Sequence, residues 1–149
     1  RIPVIAPGET ALLTARMLSH HFSVLTPLSS TLPIVREQVA KLGLRGSIAS
    51  IVPLDAPIEE IRSRSEALKA RLTELCNLCV ERDGAELIVF GCASMSLLGD
   101  EITHAVPVPV VNAVKLSLKA AEMLVGAGLT HSKVTFPYPP KLARLKTDE

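Results

Sequence analysis

Residues 86–99 read ELIVFGCASMSLLG, an apolar run that passes through a glycine and a cysteine into a helix-like pattern. The run does not alternate between apolar and polar residues, so we expect a strand buried on both faces, as in parallel sheets covered by helices. Four other apolar runs are separated by helical patterns: IPVIA (2–6), FSVLT (22–26), IASIVPL (48–54) and VPVVNAV (108–114). These repeated units predict an α/β fold, a parallel sheet with helices on both faces.

The overall composition is that of one compact domain. With 48% hydrophobic and 21% charged residues, the 149-residue chain is too apolar to be disordered. Its 16 basic and 15 acidic residues nearly cancel, so we expect no nucleic-acid partner. No apolar run reaches the roughly 20 residues of a membrane-spanning helix, and the N-terminus lacks a signal-peptide pattern. We therefore expect a cytoplasmic protein without a membrane partner.

The pattern changes near residue 130. We predict an α/β domain over 1–129 and an extended tail over 130–149, because Pro137, Pro139 and Pro140 cannot continue a helix. At the other end, the apolar run begins directly after Arg1 with no lead-in. We interpret the sequence as a piece of a longer chain.

The spacing of the CNLC segment (76–79) is compatible with a redox pair or with two zinc ligands. However, Cys79 falls on the same apolar stripe as Ile61, Leu68 and Leu72 in a pattern that predicts one long helix from residue 58. No paired cysteines or histidines follow at zinc spacing. We therefore expect buried thiols and no metal or cofactor, and a thiol-redox protein is the lesser alternative.

Cys92 differs because it follows the most apolar run, at the strand end where open α/β sheets bind their ligands. Ser94 or Ser96 could cap the helix that follows. Backbone amides at the start of that helix would favour a thiolate and an anionic ligand. The residues alone leave two interpretations of Cys92 open, a reactive thiol and a small core residue.

The segment LIVFGCASM resembles the second cysteine motif of the aspartate/glutamate/hydantoin racemase superfamily. IPVIAPGETA (2–11), HFSVLT (21–26) and PVPVVNAVKLSLKAAEMLVGAGLTHSK (107–133) resemble segments of its hydantoin and allantoin racemases in the same order. This resemblance covers nearly the whole chain. It implies one lobe of a two-lobed fold and a cofactor-independent inversion, by two thiols, at the α-carbon of a 5-substituted hydantoin or allantoin.

The resemblance also implies roles for single residues. Cys92 matches the second catalytic cysteine, and five residues match substrate-binding positions: Gly8, Glu9, Thr26, Gly91 and Ala93. Three of these five could instead serve only the local backbone. Gly8 could only allow a tight turn, Glu9 could only favour a helix N-terminus, and Thr26 could only satisfy backbone groups at a strand end.

One part of the family pattern has no counterpart. In the family, the first catalytic cysteine lies in a CFGDPG-like segment within about the first third of the chain, and this sequence contains no such segment. Cys76 and Cys79 cannot replace it, since both belong to a predicted helix rather than to a strand end. We therefore expect a chain with one of the two thiols.

The expected partners are a hydantoin-like or amino-acid-derived small molecule and further copies of the chain, since an isolated lobe would expose apolar surface. Three other functions stay open at this stage. The chain could be a non-catalytic ligand-binding module or relic of the family, an amino-acid racemase, or a decarboxylase that uses a single cysteine.

Overall fold

The computed structural model of the chain describes residues 2–137. Its strands are β1 (Phe22–Thr26), β2 (Ile48–Pro53), β3 (Ile88–Phe90) and β4 (Val110–Val111). They form a four-stranded parallel sheet in the order β2-β1-β3-β4. In its register, Val24 of β1 lies between Ile51 of β2 and Val89 of β3. The sheet confirms the predicted α/β class.

Within residues 2–137, six α-helices surround the sheet: α1 (Pro7–Leu18), α2 (Leu32–Lys41), α3 (Ile58–Ser63), α4 (Glu66–Glu81), α5 (Ala93–Ile102) and α6 (Ala113–Gly126). Single 3-10 turns lie at Ser29–Thr31, Arg45–Ser47 and Thr103–Ala105.

The sheet separates two apolar cores. Along β3 and the residue before it, Leu87 and Val89 face α1, α2 and α6, while Ile88 and Phe90 face α3, α4 and α5. Successive side chains of a strand point to opposite faces, so a strand between two helix layers must be apolar at every position. This accounts for the uninterrupted LIVF run and confirms that helices cover both faces.

The predicted strand at residues 2–6 is wrong, because this segment pairs with no strand of the described sheet. Pro3 and Pro7 have no N–H group to donate to a ladder. Ile2 and Val4 are 84% and 78% exposed. The Val4 N–H group donates a hydrogen bond to His131 Nε2 at 2.8 Å. Its partner is therefore a side chain near the other end of the described chain and not a neighbouring strand.

The predicted single helix from residue 58 is also wrong, since α3 and α4 are separate helices. Arg64 adopts the left-handed conformation (φ 52°, ψ 33°) between them. Serine side chains compete with the helical backbone on both sides of the break. Ser63 Oγ donates to the Glu60 carbonyl at 2.6 Å, and Ser65 Oγ accepts from the Leu68 amide at 3.3 Å to cap α4. The apolar stripe continues across the break, which is why its periodicity resembles one helix.

Helix α6 is followed by Gly128 in a left-handed conformation (φ 68°). Residues 130–137 contain no helix or strand, and the remaining residues of the predicted tail, 138–149, lie outside the described residues. The division into a domain over 1–129 and a tail stays a prediction. Among the described helices, none combines the length and the apolar character needed to cross a membrane.

Candidate active site

The four parallel strands end at one edge of the sheet, which we call the carboxyl edge. Thr26 ends β1, and Gly91 and Cys92 follow the neighbouring strand β3. After β1 the chain enters α2 on one face of the sheet, whereas after β3 it enters α5 on the opposite face. The carboxyl edge between β1 and β3 is therefore a topological switch point, where open α/β sheets form ligand-binding crevices.

Cys92 lies at this switch point, partly buried, as the N-cap residue of α5. Its backbone is extended (φ −142°, ψ 139°), and its carbonyl accepts hydrogen bonds from the amides of Met95 at 3.1 Å and Ser96 at 3.3 Å. Its Sγ lies 3.0 Å from Ser94 Oγ. The prediction that Ser94 or Ser96 caps the helix is wrong, because α5 begins directly after the strand end and both serines lie inside it.

Gly91 and Ala93, the residues on either side of Cys92, are both exposed. The Gly91 N–H group donates to the Leu25 carbonyl at 2.7 Å, and a Cβ atom at Gly91 would approach that oxygen to 3.2 Å. Glycine thus allows the chain to stay close to β1 beyond the end of β3. Ala93 is the first residue of α5, and the N-terminus of a helix favours an anion because its first amides lack helical carbonyl partners.

The N-terminus of α1 reaches the same region. Gly8 and Gly91 both line a cavity of about 10 Å³, which is much too small for a substrate ring. A Cβ atom at Gly8 would come within 2.9 Å of Gln38 Nε2, so a larger residue would displace that side chain. Glu9 is exposed in the first turn of α1, where a carboxylate also complements the helix dipole.

Thr26 is buried at the end of β1, one residue beyond the Leu25–Phe90 pair of the register. Its Oγ1 is hydrogen-bonded to Thr31 Oγ1, and Thr31 Oγ1 itself donates to the Leu28 carbonyl at 2.6 Å. The single hydroxyl proton of Thr31 is therefore used, and Thr26 must be the donor to Thr31. The Thr26 hydroxyl can only accept from a ligand, which favours a loop-stabilising role. Substrate binding by Thr26 stays a prediction.

The other two thiols are buried in α4, as expected for structural cysteines. Burial, together with the smaller effect of the nearby Cys79, raises the pKa of Cys76 to about 12. Burial also raises the pKa of Cys79, against a hydrogen bond from Ser50 Oγ at 3.7 Å. Neither thiol can serve as a thiolate base near neutral pH. Residues 2–137 contain no group of three or more His, Cys, Asp or Glu side chains that could hold a metal ion.

Asn112 is a residue that the sequence interpretation missed. It follows β4 at the carboxyl edge and caps α6, since its Oδ1 accepts from the Lys115 amide at 3.0 Å. Its Nδ2 donates to the Ser96 carbonyl at 3.0 Å and so ties α6 to the helix that begins after Cys92. A polar residue between an apolar run and a helical pattern is a recognised N-cap signal. That signal was present in VPVVNAV.

Comparison with known proteins identifies the family. Residues 1–121 match the family described as Asp/Glu/Hydantoin racemase. The chain belongs to this racemase family. Among curated relatives, the hydantoin racemase of Rhizobium meliloti is 38% identical over 141 residues, which cover 92% of this chain and 57% of that protein. The hydantoin racemase of Pseudomonas sp. (strain NS671) is 31% identical over 140 residues, covering 93% of this chain and 56% of that protein.

Solved racemase structures share the fold. The allantoin racemase from Klebsiella pneumoniae superimposes with a TM-score of 0.85 at 32% identity, covering 95% of this chain and 59% of that chain. The allantoin racemase from Pseudomonas fluorescens gives 0.84 at 32% identity, covering 94% and 61%. Family membership and the parallel α/β fold are therefore confirmed. The chain spans little more than half the length of these racemases.

Proposed function

We propose that this chain supplies part of a hydantoin or allantoin racemase site, in which Cys92 transfers a proton at the α-carbon of a 5-substituted hydantoin-type ring. One observation supports the proposal above others. The family's cysteine motif lies at the switch point of the sheet, where Cys92 is the cysteine of this chain that is not fully buried. No cofactor is required by the proton transfers described next.

Inversion needs one group that removes the α-proton from one face of the ring and a second group that protonates the other face. As a thiolate, Cys92 would take the proton, so that the C–H bond breaks, an S–H bond forms and the electron pair moves onto the ring carbonyl oxygen. The amides at the start of α5 would stabilise that oxyanion. In the reverse direction, the Cys92 thiol would be the proton donor.

The second acid/base group is not one of the other two cysteines. Cys76 and Cys79 lie fully buried in the core around α4, and burial holds both as neutral thiols. A two-thiol mechanism would therefore need a thiol from outside this sequence. On its own, the chain would perform the half of the reaction that involves the face of the ring next to Cys92.

The direct test is proton NMR in heavy water, following loss of the α-proton from each enantiomer of a 5-substituted hydantoin in the presence of the chain. We expect faster exchange than the spontaneous background for at least one enantiomer. Cys92 would remove the α-proton, the resulting thiol would exchange that proton for solvent deuterium, and the thiol would then return deuterium to the same carbon. Exchange with inversion would indicate that a second acid/base group is also present in the chain.

Two variants make the test specific. Cys92→Ser should abolish exchange above background, because a hydroxyl is far too weak an acid to form a useful anion near neutral pH. Cys79→Ser is the matched control, because it makes the same replacement at a core position beside Ser50. It should leave the exchange rate above background. Background-level exchange with the unmodified chain, or full activity in Cys92→Ser, would contradict the proposal.

The burial of the other two thiols also favours a second candidate, a module that binds the ring without turnover. Calorimetry distinguishes it from the first. Saturable binding of a hydantoin without exchange of the α-proton would support the binding module, whereas binding accompanied by exchange would support the racemase half-site.

A further inference from the structure

The Ser94 hydroxyl lies 3.0 Å from Cys92 Sγ. We propose that Ser94 is a positioning residue that donates a hydrogen bond to the Cys92 thiolate and holds its sulfur toward the carboxyl edge. This inference rests on the proposed acid/base role of Cys92, and it names a side chain that contacts the sulfur of that thiol.

The direction of this hydrogen bond follows from the chemistry of the two groups. A thiol and a hydroxyl can each donate to the other, but a thiolate has no proton and only accepts. When Cys92 is ionised, Ser94 must therefore be the donor. A hydroxyl can turn to suit either state, which fits a sulfur that alternates between base and acid.

The first turn of α5 makes the serine contact more important. Cys92 is the N-cap residue, yet within the described structure its side chain caps no amide of the helix. The Met95 and Ser96 amides bond to the Cys92 carbonyl instead. Among residues 2–137, Ser94 Oγ is thus the hydrogen-bonding group at the sulfur, and hydrogen bonds to ionised groups are about twice as strong as neutral ones.

The same helix contains a matched control. Ser96 lies two residues further on, is buried, and its Oγ has no hydrogen-bond partner among residues 2–137. Removing that hydroxyl takes away a serine from α5 without touching the sulfur. The cysteines also make the experiment selective, because Cys76 and Cys79 are buried and alkylation of the folded chain reports on Cys92.

The experiment measures the rate at which iodoacetamide alkylates Cys92 as a function of pH, without substrate, by mass spectrometry of the Cys92 peptide. We expect Ser94→Ala to move the half-maximal pH upward by about half a unit or more, a loss of about threefold in rate near neutral pH. Ser94→Thr should keep the wild-type profile because it retains a hydroxyl. Ser96→Ala should also match the wild type.

Wild-type pH dependence in Ser94→Ala would overturn the inference, as would an equal shift in Ser96→Ala. Circular dichroism checks that each variant is folded. If Ser94→Ala is not folded, the alkylation measurement is repeated with Ser94→Gly. Because no substrate is used, the result is independent of the proposed function. If Ser94→Ala shifts the pH profile of alkylation but the chain exchanges no α-proton, the racemase half-site is rejected and the Ser94 contact is supported. If the chain exchanges the α-proton but the pH profile is not shifted, the Ser94 contact is rejected and the half-site is supported.

Discussion

At the level of single residues, Cys76 and Cys92 show how position separates two identical side chains. Cys92 is partly buried at a helix N-terminus, whereas Cys76 is fully buried in the core around α4. Desolvation disfavours the charged form of a thiol, so a buried cysteine stays neutral up to a higher pH than an exposed cysteine does. Residue type alone cannot distinguish a reactive thiol from a structural one.

This difference predicts a pH dependence of stability. The pKa of Cys76 is raised from 9.0 to about 12 in the folded chain, so the unfolded chain loses this proton first. The stabilisation is fully present below about pH 9 and is lost as the pH rises toward 12. We expect the free energy of unfolding, measured with urea under reducing conditions, to fall with pH above about 9 and to fall less steeply in Cys76→Ala.

Leu72→Met is the comparison for this measurement, since it changes a fully buried side chain of α4 without removing an ionisable group. Its unfolding free energy should keep the wild-type slope against pH. Equal slopes in the wild type and in Cys76→Ala would show that ionisation of the buried thiol does not drive the alkaline loss of stability.

At the level of elements, the sequence patterns were accurate where burial is continuous. FSVLT coincides with β1, and the apolar runs at 48–54, 86–91 and 108–114 each contain one strand. The IPVIA run is also apolar but pairs with no strand, because Pro3, the adjacent Pro7 and the exposed side chains of Ile2 and Val4 suit a connection outside the sheet. Apolar composition predicts a strand only where a neighbour is available to pair with it.

Asn112 provides a prediction for the contact between two elements. Asn112→Ala removes both the cap of α6 and the bond to the Ser96 carbonyl, so we expect a loss of about 2 kcal/mol in unfolding free energy. Asn112→Asp should lose less, because it keeps the acceptor for the Lys115 amide and lacks only the donor to Ser96. Urea unfolding followed by circular dichroism measures both.

Ser117→Ala is the control for Asn112, because in the described part of the chain Ser117 Oγ donates to the Val114 carbonyl one turn earlier in the same helix. It should change the unfolding free energy by less than about 0.5 kcal/mol, as is usual for surface positions. An Asn112→Ala variant as stable as Ser117→Ala would refute the proposed link between α5 and α6.

At the level of the whole molecule, large apolar side chains are exposed on α1, on α6 and in the N-terminal segment. The helices α1 and α6 pack against each other, and the N-terminal segment meets His131 beside them. This region, which we call the α1–α6 face, includes several large apolar residues that are well exposed: Ile2, Val4, Met17, Leu18, Val114, Leu118 and Val125. Apolar patches of this kind are typical of interaction surfaces.

We therefore expect the chain to self-associate through the α1–α6 face. Leu118→Glu should shift sedimentation velocity toward the monomer, because it places a charge within this face. Ile34→Glu is the control: Ile34 on α2 is 66% exposed, similar to Leu118 at 60%, and lies outside the face. A wild-type chain that sediments as a single monomeric species would contradict self-association, and equal shifts in both variants would contradict its location.

Residue order was enough to predict the α/β class, the four strands of the sheet and the position of Cys92 just after a strand. These features are local, because a strand between two helix layers needs an unbroken apolar run and its carboxyl end is where the run stops. Packing in three dimensions settled that the Thr26 hydroxyl is used by Thr31, that Ser94 meets the sulfur and that IPVIA stays unpaired. Those outcomes depend on which side chains meet across the fold, and the order of residues along the chain does not specify such contacts.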